Sequence, residues 1–338
     1  MIEWELTDSE RDEILRRTVL PIVFSDAPPT DHPPTLVLLA SQPGSRHSLA
    51  VGSLIRQHPD DLATVSGDEL RSFHPHFLSL ASDRAPAALE GVARATAGWL
   101  RDCIRFAREN RRSLVVEGAF QDPSLAVGMA ERFAAAGFQT HIAIVASRRA
   151  ESLLSVASLY LRNVHAGKPA RLVSRETHDR GLEATRALAA EAVNSASVGR
   201  LTVIGRDGDP VFDAHRYDGE ASFAGAGAAL EAEQSTRLSR FDATQWLSEL
   251  HHATDFALTR RDLPRGVTEL LLELHKVALR EVIPELHVPS DGRFISAIEQ
   301  KTGSRLGDLQ RSLPREEVVD LAAPVVTPVG PERGGISR

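Results

Sequence analysis

The chain has 338 residues, a length that allows two domains or one large domain with an appendage. Its 39 lysines and arginines against 46 aspartates and glutamates leave a formal charge of −7; this argues against non-specific nucleic-acid binding as the main activity, because such binding needs an excess of basic charge. The one cysteine, Cys103, excludes a disulfide framework and a cysteine-based zinc site.

Residues 1–33 are predicted to form an amphipathic helix at about 8–20 and a Pro-rich connector. Residues 1–17 are charged throughout and lack the apolar core of a signal peptide. The chain contains no run of about 18 apolar residues, so none of it is expected to span a membrane. We therefore expect a cytoplasmic protein whose partners are neither a membrane nor a nucleic acid.

Residues 34–215 alternate between predicted strands and predicted helices. The run 34–40 is continuously apolar between turn residues, which is typical of a strand buried on both faces of a parallel sheet. Further strands are predicted at 62–66, 113–118, 141–147 and 201–205. Helices are predicted at 48–57, 85–110, from Pro123, at 149–163 and from Ser174. This alternation predicts βαβ units and an α/β fold built on a mostly parallel sheet.

The pattern changes after residue 215. Small residues are frequent at 221–233, and the stretch 235–320 shows only helical periodicity. We therefore predict a helical C-terminal extension. Within it, the adjacent His251 and His252 are predicted to be surface residues, because neighbouring helix positions face different sides. Residues 321–338 are rich in Pro and Gly and are predicted to be disordered.

Polar segments follow three of the predicted strands, at the point where each apolar run stops. They are residues 41–48, 66–75 and 116–123. In an α/β sheet, ligands bind beyond the carboxyl ends of the strands, where helix N-termini point N–H groups outward. These three segments are therefore the predicted functional site.

The first segment stands where a phosphate-binding loop of the pattern G-x-x-x-x-G-K-[ST] would lie. Ser41 takes the place of the first Gly and Arg46 that of the second. His47 takes the place of the lysine and Ser48 that of the hydroxyl residue, so only Ser48 fits the pattern. Taken alone, the segment is more simply explained as an ordinary strand–turn–helix corner.

Five short motifs occur in order along residues 10–215. They are Gln42-Pro43-Gly44-Ser45, Gly67-Asp68-Glu69-Leu70-Arg71 with His74-Pro75, Glu117-Gly118, Arg171 with His178-Asp179, and Arg206-Asp207-Gly208. In order and spacing they resemble the zeta toxin family. The resemblance implies a P-loop kinase-like parallel sheet flanked by helices. It also implies an ATP- and Mg²⁺-dependent kinase of a nucleotide-sugar, UDP-N-acetylglucosamine, with an antitoxin protein as a possible partner.

The same resemblance implies roles for individual residues. Asp68 matches the family's catalytic base, and Arg171 matches an arginine that neutralises the transferred phosphate. Glu117, His74 and Arg71 match the substrate side of the site. From the residues alone, structural roles remain open as well: Asp68 as a helix-capping charge and Glu117 as an ion-pair partner of an arginine. His74 is as well explained as a structural histidine, and Arg171 as a solvated helix end.

The resemblance also implies that the first segment binds ATP and that Ser48 contacts Mg²⁺. The residues of this predicted loop are Gln42, Pro43, Gly44, Ser45, Arg46, His47 and Ser48.

Several positions depart from the family pattern. His47 is shorter than the lysine that it replaces, and its charge at neutral pH is not assured. Arg46 puts a bulky side chain where the loop should be tightest, and no lysine precedes Lys168. A second family arginine is replaced by Ser158, although Arg162 lies one turn further on. These departures predict a slow kinase or, as the alternative, an inactive pseudokinase that binds a ligand or a protein.

Overall fold

The computed structural model describes residues 4–24, 32–58, 62–81, 86–219, 221–260, 262–287 and 293–313. The tail predicted to be disordered, 321–338, lies outside these residues, as does most of the Pro-rich connector. Within them, no helix has both the length and the apolar composition needed to cross a membrane.

Six strands form one sheet within the described residues. They are β1 (Thr35–Ala40), β2 (Ala63–Ser66), β3 (Leu114–Gly118), β4 (Gln139–Val145), β5 (Arg200–Ile204) and β6 (Pro210–His215). Their order is β2-β3-β1-β4-β5-β6, and every neighbouring pair is parallel except β5 and β6. The predicted α/β fold with a mostly parallel sheet is therefore confirmed.

Helices cover the sheet and form the C-terminal extension. They are α1 (Asp8–Ile14), α2 (Leu20–Val23), α3 (His47–Gln57), α4 (Gly67–Leu70), α5 (Pro86–Glu109), α6 (Pro123–Ala135), α7 (Arg149–His165), α8 (Arg175–Asn194), α9 (Ala226–Ser235), α10 (Arg240–Thr259), α11 (Arg265–Val277) and α12 (Arg293–Arg311). Segments of π-helix, Leu15–Val19 and Ala278–Val282, continue α1 and α11. Short 3-10 segments lie at Arg71–Phe73, Phe77–Ala81, Arg216–Asp218 and Ile283–Leu286.

The side chains of β1 explain why this strand lies inside the sheet. All of its residues are buried. Leu36 and Leu38 belong to the large core cluster on one face, whereas Val37 and Leu39 pack with Leu54 of α3 on the other. Because successive strand residues point to opposite faces, a strand covered on both faces needs an apolar residue at every position. The continuous apolar run meets that need.

Polar caps fix the starts of two helices beside the predicted site. The side chain of Asp122 accepts a hydrogen bond from the N–H of Ser124 at the start of α6. The side chain of Ser174 accepts one from the N–H of Thr177 at the start of α8. Both helix starts agree with the predicted ones, because these side chains satisfy N–H groups that the helix leaves unpaired.

The C-terminal extension shares a hydrophobic core with α7. Leu153 of α7 belongs to the same buried cluster as Trp246 and Leu250 of α10 and Leu271 of α11. The indole N–H of Trp246 also donates to the carbonyl oxygen of Ala150 over 2.9 Å. Since α7 follows the carboxyl end of β4, this core fixes the extension beside the edge of the sheet that carries the predicted site. The helical extension is confirmed, and the domain limits at 215 and 235 stay predictions.

Candidate functional site

The segment after β1 begins with a tight turn at residues 42–45. The N–H of Ser45 donates to the carbonyl oxygen of Gln42 over 3.2 Å, and Gly44 has a φ of +80°. Pro43 and Gly44 are the residues that a type II turn favours at its two central positions, because the second position needs a positive φ. The Gln42-Pro43-Gly44-Ser45 motif is therefore the sequence of this turn.

Helix α7 holds the turn in place. A Cβ atom built on Gly44 would lie 2.1 Å from the carbonyl oxygen of Ser152, so the turn lies directly on the α7 backbone. The side-chain amide of Gln42 is buried and donates to the carbonyl oxygen of Ser147 over 2.7 Å. The position of the predicted ATP loop is thus set by its contact with the start of α7.

The first turn of α3 follows this tight turn and faces solvent. Arg46 is the N-cap residue, and the side chains of Arg46, His47 and Ser48 are exposed. The first N–H groups of a helix have no partners within the helix and carry a partial positive charge, which suits a phosphate group. Because Arg46 is exposed, its bulk is accommodated outside the interior of the loop.

An ion-pair cluster borders the loop on the side of α7 and α10. Arg206 contacts Glu151 of α7 and Asp242 of α10, each at 2.9 Å. Burial raises the pKa of Glu151, and the charges of Arg206 and Arg46 oppose that rise. A hydrogen bond from Ser239 lowers the pKa of Asp242, with Arg206 and Arg46 acting in the same direction. The C-terminal extension therefore reaches the edge of the loop through Asp242, a residue that sequence analysis did not identify.

Glu117 lies at the carboxyl end of β3, between the ends of β1 and β2. It is in register with Leu39 and with Ser66. It points to the same face as Val115, two positions before it, which is the face covered by α3. Its side chain is 13% exposed, and its Oε2 lies 3.9 Å from Nε2 of His47. The strand alternation thus places this carboxylate under the first turn of α3.

The environment of Glu117 makes its carboxyl hold a proton up to a higher pH than an ordinary glutamate does. Burial raises the pKa of this carboxyl to about 6, although the charge of His47 opposes the rise. The negative charges of Glu69 and Asp68 raise it further. A carboxyl that titrates this close to neutrality is common at functional sites, where burial and neighbouring charges are combined.

Asp68 follows β2 and contacts two of the predicted site arginines. Its side chain is 75% exposed, and its Oδ1 lies 3.1 Å from Nη1 of Arg71 and 3.7 Å from Nη1 of Arg171. The side chain that caps α4 is that of Ser66, whose Oγ accepts from the N–H of Glu69 over 3.1 Å. Helix capping is therefore performed by Ser66, and the Asp68 carboxylate faces the two guanidinium groups.

His74 is buried against the N-terminal segment. Its Nε2 lies 3.2 Å from the carbonyl oxygen of Trp4, and its Nδ1 accepts from the N–H of His76 over 3.3 Å. Burial lowers the pKa of His74, which favours the neutral ring that these two contacts need. The imidazole thus holds Trp4 in place, and its predicted part in substrate binding rests on the family resemblance alone.

The His178-Asp179 motif joins α7 to α8. Nε2 of His178 lies 2.8 Å from Oγ of Ser152, and its Nδ1 lies 3.0 Å from Oδ1 of Asp179. Arg149 donates two hydrogen bonds of 2.8 Å to the Asp179 carboxylate. Burial opposes ionisation of Asp179, but the hydrogen bonds from His178 and Arg149 outweigh it and lower its pKa. This serine–histidine–aspartate chain resembles a hydrolase triad, yet Ser152 and His178 are 0% exposed, so its role is structural.

Ser158, which stands where the family pattern has a second arginine, lies on α7. Ser158 is buried there, and Nε of Arg162 donates to its carbonyl oxygen over 3.3 Å. The Arg162 side chain is thus bonded to its own helix, and its part as a replacement stays a prediction.

The described residues contain no group of three or more His, Cys, Asp or Glu side chains that could hold a metal ion. Magnesium in phosphate-transfer sites needs little from the protein, because it retains waters and binds phosphate oxygens. The exposed Ser48 hydroxyl on the first turn of α3 fits that limited role. The predicted contact of Ser48 with Mg²⁺ stays a prediction.

Most of the predicted site residues form one connected group at the carboxyl edge of the sheet. His47 faces Glu117, the charge of Asp68 influences Glu117, and Asp68 contacts Arg71 and Arg171. The loop at residues 42–48 lies beside them, because β1 and β3 are neighbours. The site therefore combines two carboxylates and several cations next to a helix N-terminus.

Comparison with known proteins gives three findings. The family model for zeta toxin matches residues 23–216. The toxin PezT of Streptococcus pneumoniae serotype 4 is 22% identical over 179 residues, which is 52% of this chain and 69% of PezT. A solved structure from the PezAT chromosomal toxin–antitoxin system of Streptococcus pneumoniae aligns with a TM-score of 0.62 and 18% identity. It covers 74% of this chain and 99% of its own, and at this identity it shows the fold alone.

Proposed function

The chain belongs to the zeta toxin family, and from this premise we propose that it is an ATP-dependent kinase that phosphorylates a hydroxyl group of a nucleotide-sugar such as UDP-N-acetylglucosamine. Its fold is P-loop kinase-like, with helices on both sides of a mostly parallel sheet. One observation carries the proposal. At the carboxyl edge of the sheet, Asp68 contacts Arg71 and Arg171, and Glu117 faces His47 at the N-terminus of α3.

The phosphates of ATP would lie over the first turn of α3. The N–H groups there donate to phosphate oxygens, and the exposed side chains of Arg46 and His47 add positive charge nearby. The Ser48 hydroxyl would hold a magnesium ion, which supplies charge neutralisation to the β- and γ-phosphates. The turn at residues 42–45, fixed on α7, keeps these groups in one arrangement.

The two carboxylates would act on the acceptor sugar. Glu117 accepts hydrogen bonds from sugar hydroxyls and orients the ring. Asp68 takes the proton from the attacking hydroxyl as its oxygen bonds to the γ-phosphorus. The bond from this phosphorus to the bridging oxygen breaks, the electron pair leaves with ADP, and Asp68 passes its proton to water. Arg171 balances the charge on the transferred group.

Replacement of the loop lysine by His47 and of a family arginine by Ser158 predicts slow turnover. Losing one charged donor to the transition state of a phosphoryl transfer costs on the order of 10³-fold in rate. We therefore expect a rate well below that of an enzyme with both cations.

Phosphoryl transfer from γ-labelled ATP to UDP-N-acetylglucosamine tests the proposal. The wild type should transfer label, and Asp68→Asn should lose about 100-fold or more in rate because it lacks the base. Asp102→Asn, which changes an aspartate of α5 paired with Arg105, is the matched control and should keep the wild-type rate. Background-level transfer by both the wild type and Asp68→Asn would overturn the kinase proposal.

The same departures favour one alternative, a pseudokinase that binds a ligand through an inherited cleft. It predicts binding of ATP or UDP-N-acetylglucosamine without transfer, and the two functions separate in one pair of measurements. Isothermal titration reports binding, and the labelled assay reports transfer. Binding with no transfer supports the pseudokinase, whereas absence of both at millimolar ligand contradicts both functions.

We also propose that a protein antitoxin restrains this chain, since the solved relative comes from a toxin–antitoxin system. Expression in a bacterial host should slow growth, and Asp68→Asn should relieve the effect at equal protein level. Equal growth of cells that express either form would contradict toxicity through the proposed reaction.

A further inference from the structure

The ion pairs of Asp68 combine an exposed acid with two largely buried bases. The Asp68 side chain is 75% exposed, whereas those of Arg71 and Arg171 are 16% and 22% exposed. The two guanidinium groups come from different elements, the 3-10 segment after β2 and the loop before α8, and both approach the same oxygen, Oδ1. The arginines are therefore held by their surroundings, and the carboxylate is the movable partner.

We propose that Arg71 and Arg171 together form the binding site for the phosphoryl group that is transferred, and that the Asp68 carboxylate occupies this site in the free protein. The inference rests on the proposed function and adds Arg71 to its catalytic residues. A carboxylate and a phosphoryl group present similar oxygens to a guanidinium, so one can take the place of the other. Because the Asp68 carboxylate is 75% exposed, it can return to water when a phosphoryl group takes its place between the two guanidinium groups.

Arg71 also compensates for positive charge that this chain lacks in comparison with the family pattern. The positions that carry a lysine and an arginine in the family hold His47 and Ser158 here. Around the site, the guanidinium groups are those of Arg46, Arg71 and Arg171, and the carboxylates are those of Asp68, Glu69 and Glu117. Without the guanidinium groups of Arg71 and Arg171, these three carboxylates would repel a phosphoryl group, so Arg71 should strengthen γ-phosphate binding.

Replacement of the Asp68 carboxylate by a phosphoryl group would also make Asp68 available as a base only after ATP has bound. In the free protein, both arginines contact Asp68. When the γ-phosphate binds them, Asp68 is released to accept the proton of the sugar hydroxyl. The hydroxyl oxygen then bonds to phosphorus, the bond to the β,γ-bridging oxygen breaks, and ADP leaves with the electron pair. The proton on Asp68 returns to water, so the step is balanced without another reactant.

Binding of inorganic tripolyphosphate tests the site without an acceptor sugar and without turnover. Isothermal titration should give about tenfold tighter binding for Asp68→Asn than for the wild type, because the competing carboxylate charge is removed. Arg71→Gln should bind about tenfold more weakly, and adding Asp68→Asn to it should restore much less than tenfold. Asp102→Asn and Arg105→Gln alter an Asp–Arg pair of the same spacing on α5 and should leave binding unchanged. Unchanged or weaker binding by Asp68→Asn would overturn the inference.

A second measurement locates the phosphate that the arginines bind. Arg71→Gln should weaken binding of the β,γ-imido analogue of ATP about tenfold and leave ADP binding within twofold of the wild type. Equal losses for both nucleotides would assign Arg71 to general nucleotide binding and overturn its role at the γ-phosphate. Thermal midpoints of the Asp68 variants should match the wild type, because the substituted side chain is exposed. If the wild type transfers no phosphate to any sugar, the proposed function fails, while the tripolyphosphate result still decides whether the two-arginine site exists.

Discussion

Nε2 of His47 lies 3.9 Å from Oε2 of Glu117, so the side chain at the lysine position of the loop faces the carboxylate at the end of β3. A protonated imidazole carries a positive charge, and a neutral one does not. A triphosphate over the first turn of α3 would bind more tightly to the charged ring. We therefore expect the affinity for a non-hydrolysable ATP analogue to rise about tenfold between pH 8 and pH 6. Isothermal titration across this range measures it.

Two substitutions of the same residue separate this effect from the titration of the nucleotide itself. His47→Lys keeps a positive charge at every pH in the range and should bind more tightly at pH 8, with a flatter profile. His47→Gln should bind weakly throughout. A wild-type profile parallel to that of His47→Gln would show that the imidazole does not bind phosphate.

Glu117 is predicted to lower the stability of the protein at neutral pH. Burial raises its pKa from 4.5 to about 6, so the folded state binds a proton more readily than the unfolded state does. This group therefore stabilises the fold below its unfolded pKa, and the contribution is lost as the pH rises through about 6. Glu117→Gln should raise the free energy of unfolding at pH 7.5 by about 2 kcal/mol at most, with little change at pH 4. Urea unfolding at the two pH values measures the difference.

The exposed Glu131 of α6 supplies the control. Glu131→Gln should change stability by less than about 0.5 kcal/mol at either pH. An equal effect of Glu117→Gln at pH 4 and pH 7.5 would mean that its charge is not the cause. If Glu117 binds the acceptor, the stabilised variant should also transfer phosphate more slowly, as is usual where a site holds a buried charge.

The strands and the edge that carries the site could be predicted because both depend on local patterns. The run 34–40 is apolar at every position, which few structures other than a covered parallel strand require. The turn Gln42-Pro43-Gly44-Ser45 is recognisable from its residues, since Gly supplies the positive φ. Glu117 could be placed at a strand end because it directly follows the apolar residues of β3.

The partners of the site residues could not be predicted, because they come from elements distant in the sequence. Arg206 meets Asp242 only because α10 packs on α7, and Arg149 meets Asp179 only because α7 packs on α8. Nearly all basic residues of the chain are arginines, so the sequence offers many candidate pairs and no means to choose among them. Tertiary packing makes that choice.

Gly44 is predicted to tolerate no side chain. Its φ is +80°, and a Cβ would lie 2.1 Å from the carbonyl oxygen of Ser152. Gly167 has a similar φ of +63°, but no heavy atom lies within 4 Å of an added Cβ. A substitution there therefore measures the cost of backbone strain without the cost of a steric clash. Gly167→Ala should cost about 1 kcal/mol of unfolding free energy, and Gly44→Ala clearly more, with loss of ATP binding. Urea unfolding of both variants measures the costs, and equal costs would mean that the turn can leave α7 freely.

Two histidines link the helices of the C-terminal extension. Nε2 of His275 lies 2.9 Å from Oγ1 of Thr254, and its ring stacks on that of His251 at a centroid distance of 6.2 Å. His251 in turn lies 3.3 Å from Oγ1 of Thr302 on α12. The prediction that His251 is a surface residue is therefore wrong, and of the adjacent pair His252 alone is exposed. The two adjacent histidines do face different sides of α10: His252 faces solvent, whereas His251 faces α11.

This pair predicts that the extension loses stability in acid. Burial lowers the pKa of His275 to about 4, and the charges of His251 and Arg305 act in the same direction. The pKa of His251 is also lowered to about 4, by burial and by the charges of Arg305 and Lys301. Since unfolded histidine titrates near about 6.5, the unfolded state binds more protons from there down to about pH 4, and stability falls as the pH falls. Urea unfolding across this range should show an acid loss that is about 3 kcal/mol smaller in His275→Gln than in the wild type, and unchanged in His252→Gln. The same acid loss in all three proteins would assign it to other groups.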